Sequence, residues 1–159
     1  MNPKNELESI IESGRIPNSL LFRGPVGSGK LLSAIDFANS ILGVGNEPGS
    51  NNDNKISHPD LHVVFPIPTS DKKTENNCDF YINSWRSLVL ENNYQINIRD
   101  WVDKLDTKKQ PQIGIQTVSS LSKKLSLSSF AAGYKVVLFW MADRLNEEAS
   151  NKLLKLVEE

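Results

Sequence analysis

The sequence predicts an α/β fold: a parallel sheet flanked by helices. Three observations carry that expectation. An apolar run, Leu20 to Phe22, stops at a glycine-rich turn and gives way to an amphipathic segment that opens at Lys30. A second apolar run, Leu61 to Phe65, is closed by Pro66. A third, Val136 to Trp140, is unbroken, as central parallel strands tend to be. Helical periodicity fills the stretches between the runs, and strands alternating with helices give a parallel sheet.

Taken in order, Asn2-Pro3 starts a helix whose stripe is Leu7, Ile10 and Ile11, and Gly14 ends it. The strand Leu20 to Phe22 follows. After the turn, Leu31, Ala34, Ile35, Ala38, Ile41 and Leu42 recur at helical spacing. Residues 43–57 are rich in Gly, Asn and Ser and read as a loop, which His58-Pro59-Asp60 closes ahead of the second strand. Residues 67–77 read as polar and mobile. Phe80 to Leu90 reads as a helix burying Ile82, Trp85, Leu88 and Val89. A shorter helix carries Ile98, Trp101, Val102 and Leu105. These aromatics are expected in the core rather than on a binding surface. A charged loop, 106–112, leads to a helix with the stripe Ile115, Val118, Leu121 and Leu125, and with Lys123 and Lys124 on its wet side. Past the third strand, Asn146 caps a last helix with Glu147 and Glu148 at its positive end. Its apolar face is Ala149, Leu153, Leu154 and Val157. The stripe still runs at Glu158-Glu159, which reads as a chain cut from a longer protein.

At 159 residues the chain is expected to form one domain. A net charge of −1 argues against a protein that coats nucleic acid, although a local basic patch is compatible with it. The single cysteine, Cys78, excludes an internal disulfide framework and a cysteine-rich zinc site, and points to a reducing compartment. No signal core opens the chain and no stretch approaches a membrane span, so a cytoplasmic, membrane-free protein is expected.

The chemistry-bearing stretch is Gly24-Pro25-Val26-Gly27-Ser28-Gly29-Lys30. Gly24-x-x-x-x-Gly29-Lys30 is phosphate-loop spacing. Glycines allow consecutive backbone N–H groups to turn inward as an anion nest, and the following helix adds its positive end. Gly24, Gly27, Ser28, Gly29 and Lys30 are therefore the candidate cradle, with Lys30 as the point charge for outer phosphates. The next residue should be Ser or Thr, whose hydroxyl ligates magnesium. It is Leu31, which cannot. A working ATPase also ends a neighbouring strand in Asp-Glu. Here those positions fall on Trp140 and Met141, with Asp143 three residues past the strand's end. Both magnesium contacts are missing. His58 and His62 read as structural, and no Ser or Cys nucleophile has a recognisable base.

Several of these segments together resemble a known family. Gly14-Arg15-Ile16-Pro17-Asn18-Ser19-Leu20-Leu21-Phe22, the phosphate loop, His58-Pro59-Asp60 and Ile115-Gln116-x-Val118 resemble the AAA+ clamp-loader subunits of bacterial DNA polymerase III. So does the stretch from Lys135 to Glu159, where Ala142-Asp143, Ala149, Asn151, Leu153-Leu154-Lys155 and Glu158-Glu159 follow the family's signature. The resemblance covers roughly 5–65 and 112–159, and 67–110 matches no motif of the family. Motor subunits keep Thr or Ser after the loop lysine and Asp-Glu after the strand, so Leu31 and Trp140-Met141 are similar to the delta prime type, the non-hydrolysing stator. The family's four-cysteine zinc module has no cysteine in the matching stretch, 43–57.

The resemblance implies an AAA+ domain (RecA-like, P-loop NTPase), with 1–159 as its N-terminal part, a loop at 43–57 and an insertion at about 67–110. It implies core strands in the order five-one-four-three-two, truncated before the last two. The first strand is then expected either to pair directly with the third or to be covered by a neighbouring molecule. The implied role is to help load the sliding clamp on primed DNA beside delta and gamma/tau type subunits, without intrinsic ATPase. No cofactor is required, no zinc is expected, and the loop is expected to hold at most phosphate, sulfate or a weakly bound nucleotide. Two other readings are an active gamma/tau-type ATPase, which Asp143 would have to rescue, and a small-molecule kinase, which Leu31 disfavours. A Ser-Arg-Cys arginine finger would lie beyond Glu159.

Overall fold

The computed structural model describes residues 2–44, 55–127 and 133–158. Their elements run α1 (Pro3–Ser13), α2 (Lys30–Ile41), β1 (Leu61–Val64), α3 (Cys78–Glu91), α4 (Ile98–Leu105), α5 (Ile115–Leu125), β2 (Val136–Phe139) and α6 (Glu147–Glu158). The fold is α/β, a small parallel sheet flanked by helices, as the sequence predicts.

β1 and β2 pair in parallel from Leu61↔Val136 to Val64↔Phe139, and Trp140 N–H extends the ladder to Val64 C=O at 2.8 Å. The expected second and third strands are thus neighbours. The first is not in the sheet. Residues 20–22 carry no ladder, and Leu21 is 76% exposed. Direct pairing of this run with the third strand, one of the two expected arrangements, does not occur. Three apolar residues have too few hydrogen bonds of their own to hold an extended segment in place, so such a run becomes a strand only beside a ladder. Phe22 is held instead by its ring, 6.4 Å from that of Phe37 on α2. β2, expected as a buried central strand, is partly exposed along its whole length.

Helix ends follow their capping residues. Asn2 Oδ1 accepts from Lys4 N at 3.1 Å, Pro3 sits in the first turn, and Gly14 closes α1 at φ 67°. Asn77 Oδ1 accepts from Asp79 N at the start of α3. Asn97 and Asp100 form a reciprocal capping box on α4, a sequence signature of S/T/N-x-x-D/E type. Asn146 Oδ1 accepts from Ala149 N at 2.9 Å and caps α6 as expected. α6 buries Ala149, but Leu154 (60% exposed) and Val157 face outward, so half of its expected apolar face is uncovered. Ile115, expected in the stripe of α5, is also exposed, whereas Val118 and Leu121 are buried.

The core gathers at the carboxyl ends of the two strands. Phe65 stacks on Trp85 of α3 (5.3 Å, 1° between planes) and meets Trp101 of α4 edge-on (5.3 Å, 82°). Trp85 in turn meets Trp140 at 6.2 Å. All three tryptophans of the chain are buried here. Such pairs add about 0.5–1.5 kcal/mol each beyond the area they bury.

Residues from the 67–110 segment are therefore part of the core. Residues 67–77, expected to be polar and mobile, are ordered by specific bonds. Ile67 is buried and exchanges both backbone bonds with Gln112 at 3.0 Å. The Asn76 amide brackets Ser70, accepting from its N–H at 2.8 Å and donating to its carbonyl at 2.6 Å. Most of the predicted loop at 43–57 lies outside the described residues. Ile56 at its end is fully buried, a core position the polar composition around it hid.

Candidate phosphate-binding site

The loop from Gly24 to Lys30 connects the extended residues 20–22 to the first turn of α2. Pro25 C=O accepts from Ser28 N–H at 3.2 Å and closes a tight turn. Gly27 (φ 81°) and Gly29 (φ 78°) both lie in the left-handed region, where a Cβ is strained and glycine is not. At Gly24 a Cβ would come within 2.7 Å of Ser28 Oγ, which would have to turn away. No side chain caps the first amides of α2, so they remain available at its positive end. Lys30 Nζ reaches back across the loop and donates to Pro25 C=O at 3.0 Å. Phe22, Arg23, Gly24 and Lys30 line an open depression beside it.

The structure thus brings Gly24 and Lys30 to one surface and sets Gly27, Ser28 and Gly29 at the turn between them. Arg23 is a second cation on that surface, missed because its only sequence signal is its place next to Gly24. The arrangement suits a phosphate-type anion: backbone N–H donors, a helix terminus and two cations.

The positions that should hold magnesium are committed elsewhere. Leu31 is 8% exposed and belongs to the core cluster with Ile35, Ala38 and Leu42. Trp140 is 7% exposed and packs on Trp85. Met141 follows at φ 60°, a conformation that costs a non-glycine residue about 1–3 kcal/mol. Asp143 is exposed in a 3₁₀ turn, Ala142–Arg144, past the end of β2.

Neither histidine faces a metal-like cluster, and among the described residues no three His, Cys, Asp or Glu side chains are so grouped. His58 Nδ1 accepts from Asp60 N at 3.0 Å within its turn. His62 has its pKa lowered, first by burial and then by the nearby charge of Lys124. Cys78 Sγ donates to Phe65 C=O at 3.3 Å, and burial pushes its thiol up to about 12. Because the folded pKa is raised, the stability contributed by the neutral thiol is complete below the unfolded value of about 8.5 and is lost as pH rises from there towards 12. At pH 8 alkylation by iodoacetamide is expected to proceed only through unfolding, so its rate should climb with urea. Rapid labelling of the native protein would contradict the buried, neutral thiol.

A parallel α/β core with a glycine-rich loop opening a helix defines a phosphate-loop fold of the AAA+ kind. The family model described as DNA polymerase III, delta subunit, matches residues 2–159. The chain belongs to that family, and with it to a clamp-loader-related role in DNA polymerase III. No curated protein and no solved structure matches the chain. Among the described residues no helix is long and apolar enough to cross a membrane.

Proposed function

We propose that the chain is a delta prime-like clamp-loader subunit that keeps the phosphate cradle and has given up hydrolysis. The observation that carries this reading is the burial of Leu31 and Trp140: the two positions that would bind and orient magnesium are structural members of the hydrophobic core. An anion or a weakly held nucleotide fits the loop; the position after Lys30 that would offer magnesium a hydroxyl is Leu31, and the strand-end position that would offer a carboxylate is Trp140. In this role the subunit acts in the cytoplasm beside delta and gamma/tau type partners and contributes rigid surface while they use ATP to open the clamp. It requires no zinc.

Steady-state phosphate release from ATP tests the reading. Removing a single group that stabilises developing charge costs about 2.7–4 kcal/mol of barrier, and two are absent here. No turnover dependent on Lys30 is expected from the purified protein. Turnover of about one per second that disappears in Lys30→Ala would overturn it.

A further inference from the structure

A second cavity, of about 300 Å³, lies away from the phosphate loop, between α3 and α5 along the edge of β1. β1 pairs with β2 on one side only, and this cavity runs along Leu61 to Val64. Its floor is apolar, made by Leu61, Val63 and Ile82. Its walls are polar. Asn77 of α3 donates to Ser120 Oγ of α5 at 3.1 Å, and Lys124 of α5 pairs with Asp79 of α3. These two links tie the helices together beside the cavity. They also neutralise Lys124 and Asp79 against each other.

Arg86 is not so neutralised. It lines the same cavity and its Nε donates to Ile56 C=O at 3.1 Å. It is half-buried, and among the described residues no carboxylate lies within ion-pair distance of it. The charge of Asp79 offsets only part of the cost of taking this guanidinium out of water, and its fork of N–H groups is suited to bind an oxyanion bidentately. Burial lowers its pKa, in keeping with a charge that lacks full compensation. His62, held neutral on the adjacent wall, can still offer one N–H.

We propose that this cavity is a binding site for a small molecule carrying an oxyanion head on a compact apolar body. Arg86 anchors the head, and the floor of Leu61, Val63 and Ile82 receives the body. The cavity is at the small end of ligand pockets, which are about 300–1,000 Å³, so it fits a metabolite-sized ligand. Arg86, Ile82, Asn77 and Asp79 all come from the 67–110 segment, away from the glycine-rich loop. It does not depend on what the phosphate loop binds.

Phenyl phosphate is a suitable probe, with an oxyanion head and a ring for the floor. It should be titrated into the Lys30→Ala protein, so that the phosphate loop is silent, while backbone amide shifts are followed by NMR. Saturable shifts are expected at Val63, Asn77 and Ser120. Arg86→Gln, whose amide can still reach Ile56 C=O, should weaken binding about tenfold or more, since hydrogen bonds to charged groups are the strong ones. Ser120→Leu fills the cavity wall without touching Arg86, and should abolish the shifts on a protein that folds whatever Arg86→Gln does. No saturable shift at these amides, or binding that survives both substitutions, would overturn the proposal.

Discussion

Replacing Trp140 by aspartate, the residue a hydrolytic relative would carry there, is expected to destabilise the protein severely and confer no activity. The indole is buried and packs on Trp85, and the backbone N–H of Trp140 donates to Val64 C=O where β2 leaves the sheet. Removing such a side chain costs about 3–5 kcal/mol in its own right. A carboxylate left in the same apolar site is then either charged and unpaired or forced neutral, and both add to the loss. Since whole domains are stable by only about 5–15 kcal/mol, most of the protein should be unfolded or nearly so at room temperature. Urea denaturation with Trp140→Phe as the conservative control measures this. A well-folded Trp140→Asp protein would show that the site is far more adaptable than its packing implies.

The second large effect is expected at Trp101. It lies in the segment where the sequence offered no recognisable motif, yet it is fully buried, meets Phe65 edge-on and donates from Nε1 to Pro66 C=O at 2.7 Å. Trp101→Ala should cost about 3–5 kcal/mol. Trp101→Phe keeps the ring but leaves the Pro66 carbonyl without its donor, and should cost about 1–3 kcal/mol. Thermal melts of the two variants give the comparison. If both melt with the parent, the 67–110 segment is an appendage and not a wall of the core.

These two tryptophans also show where sequence reasoning succeeds and where it stops. Helices were legible because their caps and stripes are local: Asn2 and Asn146 cap as their side chains dictate, and α5 begins and ends at the residues that bound its apolar stripe. The glycine-rich turn was legible because Gly27 and Gly29 adopt left-handed backbone that favours glycine. The sheet was only half legible. Leu20 to Phe22 is as apolar as a strand needs to be, but pairing depends on a partner elsewhere, which local pattern does not contain. Residues 67–77 misled for the opposite reason, because their order comes from Ile67 meeting Gln112, far along the chain. The cavity at Arg86 left no sequence signal either. It exists only because α3 and α5, with their Asn77–Ser120 and Asp79–Lys124 links, are brought to the edge of β1. That Leu31 and Trp140 carry neither hydroxyl nor carboxylate was visible in the residues themselves; the structure adds that both are buried.

The central claim is that the loop binds an anion without metal chemistry. Calorimetric titration of ADP into the full protein, once with magnesium and once with the metal chelated, tests it most directly. The account predicts weak binding of equal affinity in the two conditions, and its loss in Lys30→Ala. Binding strengthened by magnesium about tenfold or more, a gain of about 1.4 kcal/mol, would mean that a metal ligand exists where Leu31 and Trp140 leave none, and would contradict it.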